Sequence, residues 1–223
     1  MKISRWLSVL PVVLLWSQHA AAQDAVKVAP DHYSVILENA AVRVLKITYA
    51  PGSKAAMHHH PDSIAVPLVT SKVRMALADG TTQDNDLPAG TATYAPAGTH
   101  SPTNIGKAAV DIILIEFKGA KPGTVALPAS RPNMASKTLA EGPYGAAFQN
   151  IADPAFHEPA GSKHDYDQVV ISLDASQMSL AIEGKPAKTS WKRGDVQFIG
   201  RGLAHEARNT GNKPVEFVIV AVK

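Results

Sequence analysis

Three consecutive histidines open the chemical reading of this 223-residue chain. In Met57-His58-His59-His60-Pro61-Asp62 an extended backbone sends successive side chains to opposite faces. His58 and His60 then share one face and His59 takes the other. Two imidazoles on one face can hold a cation at about 2 Å from each nitrogen. His100, which follows the turn Pro96-Ala97-Gly98, can supply a third from a later strand. The same residues also fit a solvated histidine run that adsorbs metal without function. Cysteine is absent, so thiolate ligands and a cysteine nucleophile are excluded. Any metal must sit on histidine and oxygen.

The surroundings of His100 recur. Gly90, Pro96, Gly98, His100 and Asn104 precede Gly106-Lys107 and a long apolar run, and Gly194, Gly200, Gly202, His205 and Asn209 precede Gly211-Asn212 and another. The histidines and the asparagines are each 105 residues apart, and Ser63-Ile64-Ala65-Val66 matches Gln168-Val169-Val170-Ile171 at the same offset. Such agreement reads as an internal duplication. The positioning elements are short β-branched or alternating runs bounded by turns, from Val42 to Tyr49, Ile64 to Leu68, Val73 to Leu77 and Val110 to Phe117. They resume from Gln168 to Leu173, Met178 to Ile182, Val196 to Ile199 and Val215 to Val222. No amphipathic helix of several turns interrupts them, and the spacing predicts an all-β fold. Between the halves, residues 119–145 carry Pro122, Pro128, Pro132 and Pro143 among Ala, Ser and Lys, which reads as a linker.

The pattern Gly52-(five residues)-His58-x-His60, then Gly90-(five residues)-Pro96-x-Gly98-x-His100-(three residues)-Asn104, resembles the paired motifs of the cupin superfamily. The resemblance implies two tandem cupin barrels (double-stranded β-helix, jelly-roll) from a duplicated unit, over residues 23–118 and 146–223. It also implies a divalent metal on His58, His60 and His100, with Fe(II) foremost and Mn, Ni or Zn as alternatives. Cupins place a glutamate ligand shortly after the second histidine, and here Ser63 stands in its place. A site of three histidines without a carboxylate resembles the iron cupins that oxidise thiols or cleave diketones. Asp62 shares parity with His58 and His60 and is either a substitute ligand or a turn residue after Pro61.

The second half departs further. At the 105-residue offset His58, His59 and His60 correspond to Lys163, His164 and Asp165, and His205 alone is retained. His164, Asp167, Gln168 and His205 can assemble a metal site if a bulge shifts the strand by one residue. Otherwise the barrel is a degenerate support for the first. His32 and His157 read as surface or turn residues. Lys54, Arg74 and Tyr94 read equally as barrel-interior anion binders or as rim residues.

Residues 1–22 read as a signal peptide: Lys2 and Arg5, an apolar stretch from Trp6 to Trp16, then Ala20-Ala21-Ala22. That stretch is too short to span a bilayer, which takes about 20 residues. Cleavage near Ala22 would make the mature protein periplasmic or secreted, without a membrane anchor. The leader holds two of the 22 basic residues and none of the 19 acidic ones, leaving a mature charge near +1. With no basic run interleaved with aromatics, nucleic acid is not an expected partner. No Gly-rich phosphate loop follows a strand, and no G-x-S-x-G elbow occurs. Two functions of different class follow. One is a metal-dependent, dioxygenase-like enzyme acting on a small oxygen-bearing substrate. The other is a non-enzymatic module that binds or senses a small ligand, its metal structural or absent. Either is compatible with a monomer or a homodimer.

Overall fold

Glycine and proline turns cut the chain into short strands, and the strands fall into two matching sets. The computed structural model describes residues 23–119, 121–123, 125 and 131–223; the expected signal peptide and the rest of the expected linker lie outside them. After a one-turn helix α1 (Ala25–Val28), the first set is β1 (Tyr33–Glu38), β2 (Val42–Tyr49), β3 (His58–His60), β4 (Ser63–Pro67), β5 (Ser71–Leu77), β6 (Thr82–Leu87), β7 (Thr93–Ala95), β8 (Gly98–Asn104) and β9 (Val110–Phe117). The second set is β10 (Met134–Glu141), β11 (Gly145–Ala152), β12 (Asp167–Ser172), β13 (Met178–Ile182), β14 (Lys185–Lys188), β15 (Val196–Ile199), β16 (His205–Asn209) and β17 (Val215–Val222).

The sheets repeat as the sequence does. Sheet β1-β2-β9-β4-β7 matches β10-β11-β17-β12-β15, and β3-β8-β5-β6 matches β16-β13-β14. The second barrel's counterpart of β3 is reduced to a bridge between Ser162 and His205. The repeated asparagines hold equivalent turns. Asn104 Nδ2 donates to the carbonyls of Tyr49 and Ala108, and Asn209 Nδ2 to those of Ala152 and Lys213, at 2.8–3.1 Å. Each Oδ1 accepts from the following glycine, Gly106 or Gly211. These landmarks of the duplication are therefore structural. One expectation is revised: the stretch read as a linker contains β10, the counterpart of β1, so the second barrel begins before residue 146. Met134–Glu141 is an edge strand of largely polar residues, which hides the alternation that marks the others.

Strand β9 explains how the barrels join. Ile112, Leu114 and Val110 belong to the core inside the first barrel, whereas Ile113, Ile115 and Phe117 face away from it. The outward set packs with Val42, Val44, Ile64 and Val66 against Val169, Ile171, Val218, Val220 and Val222 of the second barrel. A strand apolar on both faces reads as an unbroken hydrophobic run. The two sheets approach so closely that a Cβ on Gly142 would overlap the Tyr94 ring, and one on Gly145 the Phe117 ring. Neither position has room for a side chain.

Such a shared core should couple the barrels. Ile115→Ala in the first barrel is expected to lower unfolding free energy by about 2–5 kcal/mol. Buried Trp191 reports from the second barrel and is the chain's one tryptophan outside residues 1–22. Its fluorescence midpoint in urea should fall with the substitution. An unchanged Trp191 midpoint would mean that the barrels unfold independently.

Candidate metal centre

Strand pairing brings the three expected histidines together. β3 runs antiparallel to β8 with His58 opposite His100 and His60 opposite Gly98. The ring centroids of His58, His60 and His100 lie 4.9–5.3 Å apart. His59 takes the opposite face and contacts Thr99 Oγ1 at 3.2 Å. One nitrogen from each of the three converging rings lies within 4.8 Å of the others. Nitrogens at about 2.1 Å from a shared ion can be no more than about 4.2 Å apart. Closing on an ion therefore takes inward shifts of about an ångström or less.

Hydrogen bonds fix which nitrogen two of the rings present. His58 Nδ1 lies 2.7 Å from the Ala56 carbonyl and must donate to it, leaving the Nε2 lone pair free to accept. His60 Nδ1 donates to Glu116 Oε1 at 2.6 Å, so its Nε2 lone pair also faces inward. Burial pushes the His100 imidazole down to about 4, with the neighbouring His60, His58 and His59 adding to the effect. Burial lowers His58 as well. A metal requires unprotonated ring nitrogens as ligands.

Glu116 is the carboxylate that sequence reasoning missed. It lies on β9 among inward-facing apolar residues, 1% exposed. Its Oε2 accepts from Arg43 Nε at 2.5 Å, and Arg43 in turn pairs with Asp24 at 2.5 Å. Burial opposes ionisation of Glu116, but the hydrogen bonds from His60 and Arg43 outweigh it and hold the carboxyl below its usual value. Asp24 also accepts from Val26 N at the start of α1. The available signal was a lone acid in the run Ile112-Ile113-Leu114-Ile115-Glu116-Phe117, with Arg43 at the matching place on β2. Glu116 stands directly across from Ser63 on β4, the residue in place of the family glutamate. The carboxylate is thus behind a histidine rather than beside it. Such outer partners orient metal ligands and raise their basicity.

Two phenols complete the inner surface. Tyr49 donates to the Tyr33 hydroxyl at 2.5 Å, and Tyr33 donates to His58 Nε2 at 2.9 Å. Burial raises both phenol pKa values, so both stay protonated. Beside them is a cavity of about 140 Å³, walled by residues that include Ile47, Val73, Met75, Ile112 and Leu114 and reaching His60 and His100. Among the described residues none lining it is Lys, Arg, Asp or Glu.

The other candidates lie elsewhere. Asp62 accepts from the Tyr94 hydroxyl at 2.8 Å and is not in the histidine cluster. Tyr94 packs against the inter-barrel core. Arg74 pairs with Asp84 on the surface, and Lys54 is exposed. His157 is exposed, and His32 stacks on Tyr49 with its Nδ1 3.0 Å from the Thr48 carbonyl.

In the second barrel the cluster is Glu158, His164 and His205. His164 and His205 were expected there; Asp167 and Gln168 do not join them. Asp167 accepts from Arg201 N at 2.7 Å, whereas Gln168 is buried at the edge of a small cavity. The anticipated register shift is present. Ser162, not Lys163, bridges His205 as His58 pairs with His100, which puts His164 in the place of His60. Glu158 N bonds the Ala207 carbonyl as Ala55 N bonds that of Pro102, so Glu158 occupies the place of Ala55. A 105-residue offset pairs Glu158 with Ser53 instead, and for that reason the sequence did not reveal it.

No protein-family model matches the sequence, and no curated protein matches it. Solved structures do. A cupin 2 conserved barrel domain protein from Leptotrichia buccalis is 14% identical, with a TM-score of 0.58 over 86% of this chain and 88% of that one. The oxalate decarboxylase formate complex of Lactobacillus farciminis is 12% identical, with a TM-score of 0.63 over 85% and 80%. Salicylate 1,2-dioxygenase of Pseudoaminobacter salicylatoxidans, with gentisate adducts, is 10% identical, with a TM-score of 0.62 over 83% and 70%. At these identities the likeness concerns fold alone: the chain is folded as two jelly-roll barrels in tandem, like the cupin structures it resembles.

Proposed function

We propose that this is an exported metalloenzyme whose first barrel holds one divalent ion on His58, His60 and His100 and acts as an oxygenase on a small substrate. The observation that carries the reading is the convergence of three imidazoles, two of which, His60 and His100, line an apolar cavity. Fe(II) is placed first among Fe, Mn, Ni and Zn because the proposed reaction needs an ion that activates dioxygen; three neutral nitrogens leave positions open for substrate and dioxygen on any of the four. When bound, the ion supplies Lewis acidity and a site for oxygen activation.

The chain's own residues then have separable roles. Glu116 and the Ala56 carbonyl hold His60 and His58 with Nε2 inward. With His58 Nε2 given to an ion, the Tyr33 hydroxyl would be without that acceptor and would donate its hydrogen bond to an oxygen of the substrate, while Tyr49 holds the phenol in place. The apolar walls exclude water and accept the substrate's body.

Cavity chemistry narrows the substrate. A void near 150 Å³ lined by aliphatic and aromatic groups takes up benzene, so about 140 Å³ suits a single ring or a short chain. With no fixed cation on the described wall, the ion alone balances anionic charge, which favours one chelating oxygen-bearing head over a dicarboxylate. Of the two enzymes named above, the salicylate dioxygenase is therefore the nearer chemical analogue.

Three measurements test this. His60→Ala and His100→Ala should each abolish stoichiometric metal while keeping β-rich circular dichroism; full metal retention in both would refute the ligand set. Fe(II)-loaded protein should consume oxygen with small aromatic or diketone substrates and not with oxalate. Val73→Phe, which fills the cavity, should keep the metal but raise KM roughly tenfold, a loss of about 1.4 kcal/mol in substrate binding. Metal retention without oxygen uptake on any substrate would leave the ligand-binding function instead.

A further inference from the structure

The second barrel repeats the first with one substitution of position. In the first barrel Arg43 and Glu116 face each other across β2 and β9, behind His60 and away from its Nε2. The equivalent cross-strand pair on β11 and β17 is Ala146 and Ala221, both fully buried. That cross-strand place therefore carries no charge. Instead the carboxylate and the guanidinium are in front. Arg131 NH1 lies 2.5 Å from Glu158 Oε1, and Arg131 NH2 lies 3.2 Å from His164 Nε2. A guanidinium can only donate, so His164 Nε2 is the acceptor.

His205 Nδ1 donates to the Leu203 carbonyl at 3.1 Å, which turns its Nε2 toward Glu158 Oε2 at 3.6 Å. The carboxylate and two imidazoles thus aim at one region, and Arg131 contacts two of the three. The contact to Glu158 Oε1 is a charge pair rather than a well-directed hydrogen bond. The remaining cavity is about 30 Å³, space for a water or two and not for a substrate.

We propose that Arg131 is the resident cation of the second barrel: its guanidinium takes the place of a divalent ion on Glu158, His164 and His205 and keeps that site metal-free. The donor set is a latent site for a first-row divalent metal. It differs from the first barrel's in taking its carboxylate from the Ala55 position and in having Ser162 in the place of His58. A dication and a guanidinium cannot share the same lone pairs, so occupancy by one excludes the other.

The test uses Co(II), with full-length mature protein carrying His60→Ala and His100→Ala so that the first barrel contributes nothing. This background is expected to bind no stoichiometric Co(II) in equilibrium dialysis. Adding Arg131→Met, which keeps length and removes charge, should create one site per chain with visible d–d absorption. Adding His205→Ala to that variant should weaken the new site by at least about tenfold. Arg131→Gln serves as the second variant if Arg131→Met loses its β-rich circular dichroism, and Arg131→Lys should stay closed. Co(II) binding at His205 in the background with Arg131 intact would overturn the proposal. So would a folded Arg131→Met or Arg131→Gln variant that still binds none.

Discussion

A carboxylate buried with almost no access to water must be compensated locally, and Glu116 is the point around which the first barrel is arranged. It takes a hydrogen bond from His60 on one oxygen and from Arg43 on the other. Arg43 extends the network to Asp24, which caps the short helix beside β3. The Gln23 carbonyl accepts from His59 N in the same place. The strand bearing the histidines is thereby held from both sides, by β8 and by the start of the described chain. His60 cannot rotate its Nε2 away from the cavity without stranding a buried charge.

The same strand that carries Glu116 also makes the molecule bipartite. Its inward residues line the cavity and its outward residues form the core between the barrels. A change in how the sheets pack is thus transmitted to the wall of the candidate site through β9 and its neighbours β2 and β4, which also carry residues of both sets. This helps explain the retention of a second barrel with almost no internal space. Its sheet supplies the apolar surface that the first barrel's outer face requires.

Fold and site were legible to different depths. The duplication was visible because the buried asparagines and their glycine turns are needed for the same hairpin in both halves. The three histidines were visible because the two-residue period of a strand forces His58 and His60 to one face. β10 was hidden because an edge strand does not need an apolar face on every alternate residue. Glu116 was hidden inside an apolar run that looked like core, and Glu158 by a one-residue change in spacing between Ala55–His58 and Glu158–Ser162. Both missed residues are acids whose role depends on partners distant in sequence, Arg43 in one case and Arg131 in the other.

Those two acids also decide what each barrel can hold. In the first, Asp24 and Glu116 are both kept ionised against the cost of burial by Arg43, so the group behind His60 carries one net negative charge. An incoming dication meets neutral nitrogens backed by that excess charge, and nothing positive lies between them. In the second, Glu158 is matched one to one by Arg131, and the positive member lies on the lone-pair side of His164. Coulomb energy grows as separation shrinks and dielectric falls, so a fixed cation against the donors opposes a dication far more than one behind the ring. Placement of an arginine, rather than the number of histidines, is what separates a barrel suited to metal from one already neutralised by its own chain.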